Sequence, residues 1–156
     1  MAAEAHVTRG VFLGLVQRFA QIFGAVYLLV GLTGFVPPLL LGGLPPGVLG
    51  PLDGLQFGVF AVNWFHSLTH AAIGAIGLAV YRSPSASRAY ALALGVAYMA
   101  LFLLGFFTSA AAALGGLLPL NGADDTLHLL TSLAAFVTYL MARLPERERG
   151  AANPRA

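Results

Sequence analysis

Charged side chains divide the chain into four long apolar runs. The first, residues 18–36, is entered through Arg9, Gln17, Arg18 and Gln21 and closed by Pro37-Pro38. The second covers 54–81, between Asp53 and Arg82. The third covers 89–118, after Arg88, and the fourth covers 122–143, with Asp124-Asp125 near its start and Arg143 at its end. About 20 apolar residues at ~1.5 Å each cross a ~30 Å hydrocarbon layer, so every run is long enough to span. None alternates apolar and polar residues with period two, as a barrel strand in lipid must. Helices are the other way to satisfy backbone groups in hydrocarbon. The expected fold is therefore all-α: a four-helix transmembrane bundle over 18–143, with an N-terminal tail at 1–17 and a C-terminal tail at 144–156. The stretch Pro37–Asp53 is too apolar for a free loop and too rich in Pro and Gly for a helix. It reads as a hairpin against the outer membrane surface or as a plain connector.

The runs also repeat. Gly24-x-x-Tyr27-x6-Gly34-Phe35 recurs as Gly95-x-x-Tyr98-x6-Gly105-Phe106. Asn63-x-x-His66-x3-His70-x10-Tyr81 recurs as Asn121-x-x-Asp124-x3-His128-x10-Tyr139. Matches of Gly and Phe are cheap in apolar helices, whereas Asn and His are rare there, so their matched spacing carries the comparison. The pattern predicts two helical hairpins in parallel orientation, related by a pseudo-two-fold axis along the membrane normal. Small residues such as Gly31 with Gly34 and Gly74 with Gly77 would allow close helix approach.

Composition agrees with the membrane reading: 58% of residues are hydrophobic, 9% are charged, and the mean hydropathy is +0.83. A soluble domain usually carries about a quarter charged residues. The chain has no Cys, hence neither disulfides nor thiolate metal sites. Its basic pI does not point to nucleic acid, because the basic residues are arginines at run ends and form no stripe. Those arginines (Arg9, Arg18, Arg82, Arg88, Arg143, Arg147, Arg149 and Arg155) all fall on one side of a four-span topology. Asp53, Asp124 and Asp125 fall on the other. The positive-inside rule then makes both termini cytoplasmic.

The candidate chemistry lies in Asn63, His66 and His70 on the second run and Asn121, Asp124 and His128 on the fourth. Each set follows the i, i+3, i+7 spacing of one helical face. Counting back from Arg82 and Arg143 puts both faces in the outer half of the bilayer, with their relative register open by one turn. Ionisable groups cost about 2.5–3.5 kcal/mol each at the membrane centre on the insertion scale, so they turn toward the bundle interior and one another. His66 and His70, at i and i+4, can share one metal ion, and Asp124 and His128 would complete a shell suited to zinc or iron. Asn63, Asn121 and Asp125 would orient those ligands. Two other readings stay open: an interhelical hydrogen-bond network in a structural or accessory subunit of a larger membrane complex, and haem or pigment binding. Haem fits less well, because a His pair on one helix cannot ligate both faces of a porphyrin. The chain has no Gly-rich phosphate loop, nucleophile elbow or Lys, so no enzymatic activity is assigned.

The run from Gly24 to Pro37, the Asn63-x-x-His66-x3-His70 motif and Leu120-Asn121-x-x-Asp124-x-x-Leu127-His128 resemble a group of small bacterial membrane proteins catalogued as domain of unknown function number 4383. The resemblance covers roughly residues 18–143. It implies a four-span protein of the bacterial inner membrane and brings no activity with it. Asp125 beside Asp124 leaves open which carboxylate would act. Asp124 is preferred, because i, i+4 spacing sets it over His128 and it aligns with His66 in the repeat.

Overall fold

Four helices carry the structure, a computed structural model that describes residues 2–36, 39–41, 54–107 and 117–152, with 2–13, 41 and 144–152 described by backbone alone. They are α1 (Ala2–Thr33), α2 (Trp64–Val80), α3 (Pro84–Phe107) and α4 (Gly122–Ala152). Three contain stretches long and apolar enough to cross a membrane: Gly14–Thr33, Pro84–Phe107 and Gly122–Arg143. The fourth, α2, is apolar and shorter. The protein is a helical bundle, with α1 packed mainly on α2 and α3 on α4.

Helix α1 begins at Ala2, within the expected N-terminal tail, and α4 runs on past Arg143 to Ala152. The second run is helical only from Trp64; residues 54–62 instead form a hairpin of β2 (Gly54–Gln56) and β3 (Phe60–Val62), which β1 (Leu40–Leu41) joins antiparallel. Run length and hydropathy do not distinguish a helix from a hairpin. Phe57 and Gly58 both take positive φ, 54° and 74°, at the turn, a conformation open to Gly and costly for Phe. Most of the Pro37–Asp53 stretch, the end of the third run and Asp53 itself lie outside the described residues.

Asn63 ends the hairpin and starts α2, its Oδ1 accepting from His66 N at 2.8 Å. Ser83 and Pro84 start α3, Ser83 Oγ accepting from Ala86 N and Pro84 occupying the first helical position, where no N–H is needed. Asn121 Oδ1 caps α4 by accepting from the N–H groups of Ala123 and Asp124.

Polarity is reversed relative to a soluble protein. Leu29, Leu68, Leu130, Phe106 and Phe107 point outward, while Asn63, Ser67, Ser87, Asp124 and Ser132 are buried. The interior is tightly packed at α1–α2, where a Cβ on Gly24 would stand 2.8 Å from Leu78 N and 3.0 Å from Gly74 O. No side chain fits there, so the two backbones meet directly. On α3–α4 the matching contact is Ser132 Oγ donating to Gly95 O at 2.8 Å.

Candidate metal centre

At one end of the bundle, polar side chains satisfy backbone groups that the helices and hairpin leave open. Asn63 Nδ2 donates to Leu117 O at 3.0 Å, and Asn121 Nδ2 donates to Val59 O at 2.8 Å. Asp124 Oδ2 accepts from Ala61 N and from Asn121 N, both at 3.0 Å. Gln56, on β2, donates to Val30 O and Thr33 Oγ1, tying the hairpin to the end of α1. Asn121 and Asp124 thus form a capping box, each serving the other's backbone. The network reading of the sequence has the histidines and Asp124 bonding across helices; the bonds found here run from Gln56, Asn63, Asn121 and Asp124, mostly to backbone groups.

Three histidines of α2 and α4 stand just inside this layer. His66, His70 and His128 are all buried, and each presents a ligand nitrogen within 4.8 Å of the others. His66 and His70 stack edge to face with centroids 4.4 Å apart, and His128 reaches His66 at 6.3 Å. His66 Nδ1 lies 3.1 Å from Ala61 O, and the Pro119 carbonyl also faces this ring. A carbonyl only accepts, so the contact with Ala61 O calls for a proton on Nδ1. The Nδ1 atoms of His70 and His128 are buried and have no hydrogen-bond partner among the described residues.

Two tyrosines close the group from the far side. Tyr27 of α1 sets its edge on His70 at 5.2 Å, and Tyr98 of α3 does the same to His128 at 5.1 Å. The two rings meet at 5.4 Å, and the Tyr27 hydroxyl bonds Thr131 Oγ1 at 2.8 Å. Neither tyrosine nor Thr131 stands out as a candidate in the sequence, because hydroxyl residues are ordinary in membrane helices. The matched Gly-x-x-Tyr of the repeat is the signal that could have found Tyr27 and Tyr98.

Of the expected ligands, the structure gathers His66, His70 and His128. Asp124 lies outside the three-imidazole group, with one oxygen held by two backbone N–H groups. The unpaired N–H groups of a helix start attract a carboxylate at its third position more directly than an imidazole one turn on. Of the residues expected to orient ligands, Asn63 caps the helix that carries His66 and Asn121 caps the one that carries His128. Asp125 instead packs at Gly105 of α3, outside the imidazole group.

Three neutral imidazoles suit a divalent cation such as zinc, with a fourth position left for an exchangeable ligand. At zinc–nitrogen distances of about 2.0–2.1 Å, tetrahedrally placed nitrogens are about 3.3 Å apart. No curated protein matches the chain, and no solved structure matches its fold. Residues 17–141 match the family model described as Domain of unknown function (DUF4383), and the chain belongs to that family.

Proposed function

We propose that the protein is an integral membrane protein that binds one divalent metal ion, zinc or iron, through His66, His70 and His128. The observation that carries this reading is the pair of buried, unpartnered Nδ1 atoms of His70 and His128 beside a His66 whose proton is already committed to Ala61 O. Native interiors pair more than nine in ten buried polar groups, and a cation would take up those left over. The structural-network reading is supported at Asn63, Asn121 and Asp124, whose polar atoms serve backbone groups. It leaves the imidazoles unexplained. Asp124 then positions Ala61, whose carbonyl orients His66, and is not itself a ligand.

The paired contacts support the two-hairpin repeat. Asn63 bonds the carbonyl four residues before Asn121, and Asn121 bonds the carbonyl four residues before Asn63. Tyr27 meets His70 as Tyr98 meets His128. On this reading the metal sits near the pseudo-two-fold axis and ties α2 to α4. The arginines at the opposite end put both termini on the cytoplasmic side by the positive-inside rule.

Elemental analysis of detergent-purified protein, followed by titration of the stripped protein with zinc or iron(II), tests the metal. One equivalent is expected. It should be lost in His128→Ala and in His70→Ala, with the double variant little worse than either, since residues of one site couple by about 0.5–3 kcal/mol. Protons compete for the same lone pairs, so affinity should fall as pH falls. Failure of the stripped wild type to take up either metal, or additive effects of the two substitutions on stability unchanged by a chelator, would remove the reading. A visible absorbance band of tetrapyrrole type would replace it with haem. Co-purification of a stoichiometric partner with the bundle intact after chelation would favour the accessory-subunit role.

A further inference from the structure

Two grooves run along the outside of the bundle. One, of about 500 Å³, lies between α1 and α4. Its walls include Val26 and Leu130, which are 51% and 59% exposed, and its floor is Tyr27, His70 and Thr131, none more than 6% exposed. The other, of about 450 Å³, lies between α2 and α3. The sequence repeat maps one onto the other: Phe23, Val26, Thr131 and Ala134 of the first correspond to Leu94, Ala97, Ile73 and Ile76 of the second. The counterparts are not equivalent in chemistry. Where the first has Thr131 and reaches an imidazole, the second has Ile73 and reaches none. His70 lines the α1–α4 groove, and its Nδ1 has no hydrogen-bond partner among the described residues.

We propose that the α1–α4 groove seats one alkyl chain of a membrane lipid, entering sideways from the bilayer with its oxygen-bearing end at His70 beside the Tyr27 and Thr131 hydroxyls. The argument is one of medium and shape. Val26 and Leu130 lie within stretches long and apolar enough to cross a membrane, and in a bilayer the medium around them is hydrocarbon. A volume of this size falls within the roughly 300–1,000 Å³ of small-molecule sites. A chain lying on the apolar walls brings its polar end to the polar groups on the floor. The proposal deepens the metal-centre reading and rests on it for the head group, which would take the metal's open position.

The test uses the full chain, zinc-loaded, in vesicles of phosphatidylcholine and phosphatidylglycerol carrying a trace of diazirine-bearing hexadecanoic acid. After irradiation, adducts are mapped by mass spectrometry, and zinc is measured in the same samples. Labelling should be severalfold higher around Val26, Val30 and Leu130 than around Ile76 and Ala93. Excess unlabelled hexadecanoic acid should suppress it. Leu130→Trp, which fills the groove from an outward-facing position, should abolish the excess with zinc retained, and Ala93→Trp in the counterpart groove should leave it. Thr131→Val should raise the competitor concentration needed by severalfold. Even labelling over both grooves, or labelling that excess competitor leaves unchanged, would overturn the proposal in zinc-loaded protein. Saturable labelling in a protein that never binds zinc would instead support the chain seat and remove the metal.

Discussion

Asn63 and Asn121 each do two things with one amide: the oxygen caps a helix, and the nitrogen donates across to the other half of the chain. In hydrocarbon no water replaces either bond. Asn63→Ala removes a cap, worth about 0.5–2 kcal/mol, and takes the amide donor from the Leu117 carbonyl, worth about 1–3 kcal/mol if it finds no other. Together these predict a loss of about 1.5–5 kcal/mol in reversible unfolding from mixed micelles. Asn63→Ser keeps a capping oxygen and should lose about half as much; equal losses for the two would mean the cap contributes nothing. At this scale much was legible in the sequence. Asn63, His66, His70, Asp124 and His128 are conspicuous because they are rare in apolar helices, and all are buried. The partner of Asp124 was not legible. Its i, i+4 spacing to His128 is real, but the donors it meets, Ala61 N and Asn121 N, come from a hairpin and a helix start whose placement depends on the folded chain.

Between elements, backbone contact decides where the helices lie. Gly24 and Gly74 pack against each other, and a methyl group on Gly24 would fall within 3.0 Å of backbone atoms at Leu78, Gly74 and Gly77. Backbone cannot rotate away as a side chain does, so Gly24→Ala should push α1 off α2 and destabilise by about 1–3 kcal/mol. Gly14, ten residues earlier on the same helix, has nothing within 4 Å of the place a Cβ would take. Gly14→Ala should therefore be neutral, or stabilising by up to about 1 kcal/mol through helix propensity. Thermal unfolding of the two variants in one detergent compares them directly, and equal effects would remove the close-packing account. Helix number was readable from the uncharged runs, because a span needs only length and hydropathy. The β2–β3 hairpin was not, since residues 54–62 have the hydropathy of a span. What makes a hairpin tolerable there is the set of side chains, Gln56, Asn63, Asn121 and Asp124, that occupies its neighbours' and its own backbone groups.

For the whole molecule, the question is whether α2 crosses the membrane. Its 17 residues make about 25 Å of helix, less than a ~30 Å hydrocarbon core. Two observations argue that it crosses. Asn63 and Asn121 bond to the segments just before one another, so α2 and α4 begin at one level. At their other ends Arg82 lies over the Tyr81 ring at 5.4 Å and Arg143 over the Tyr139 ring at 5.6 Å, matching aromatic–cation pairs of the kind found at an interface. The three-residue strands of the hairpin add about 10 Å of hydrogen-bonded chain at ~3.3 Å per residue, enough to complete the crossing. If α2 crosses, the α2–α3 link and the end of α4 share the cytoplasmic side; if it does not, the α2–α3 link lies outside with Arg82 and Arg88. The chain has no native Cys, so single replacements report position without background. Asp53→Cys should react with a membrane-impermeant maleimide in intact cells. Ser85→Cys and Glu146→Cys should react only after permeabilisation. Reaction of Ser85→Cys in intact cells would mean that α2 is re-entrant.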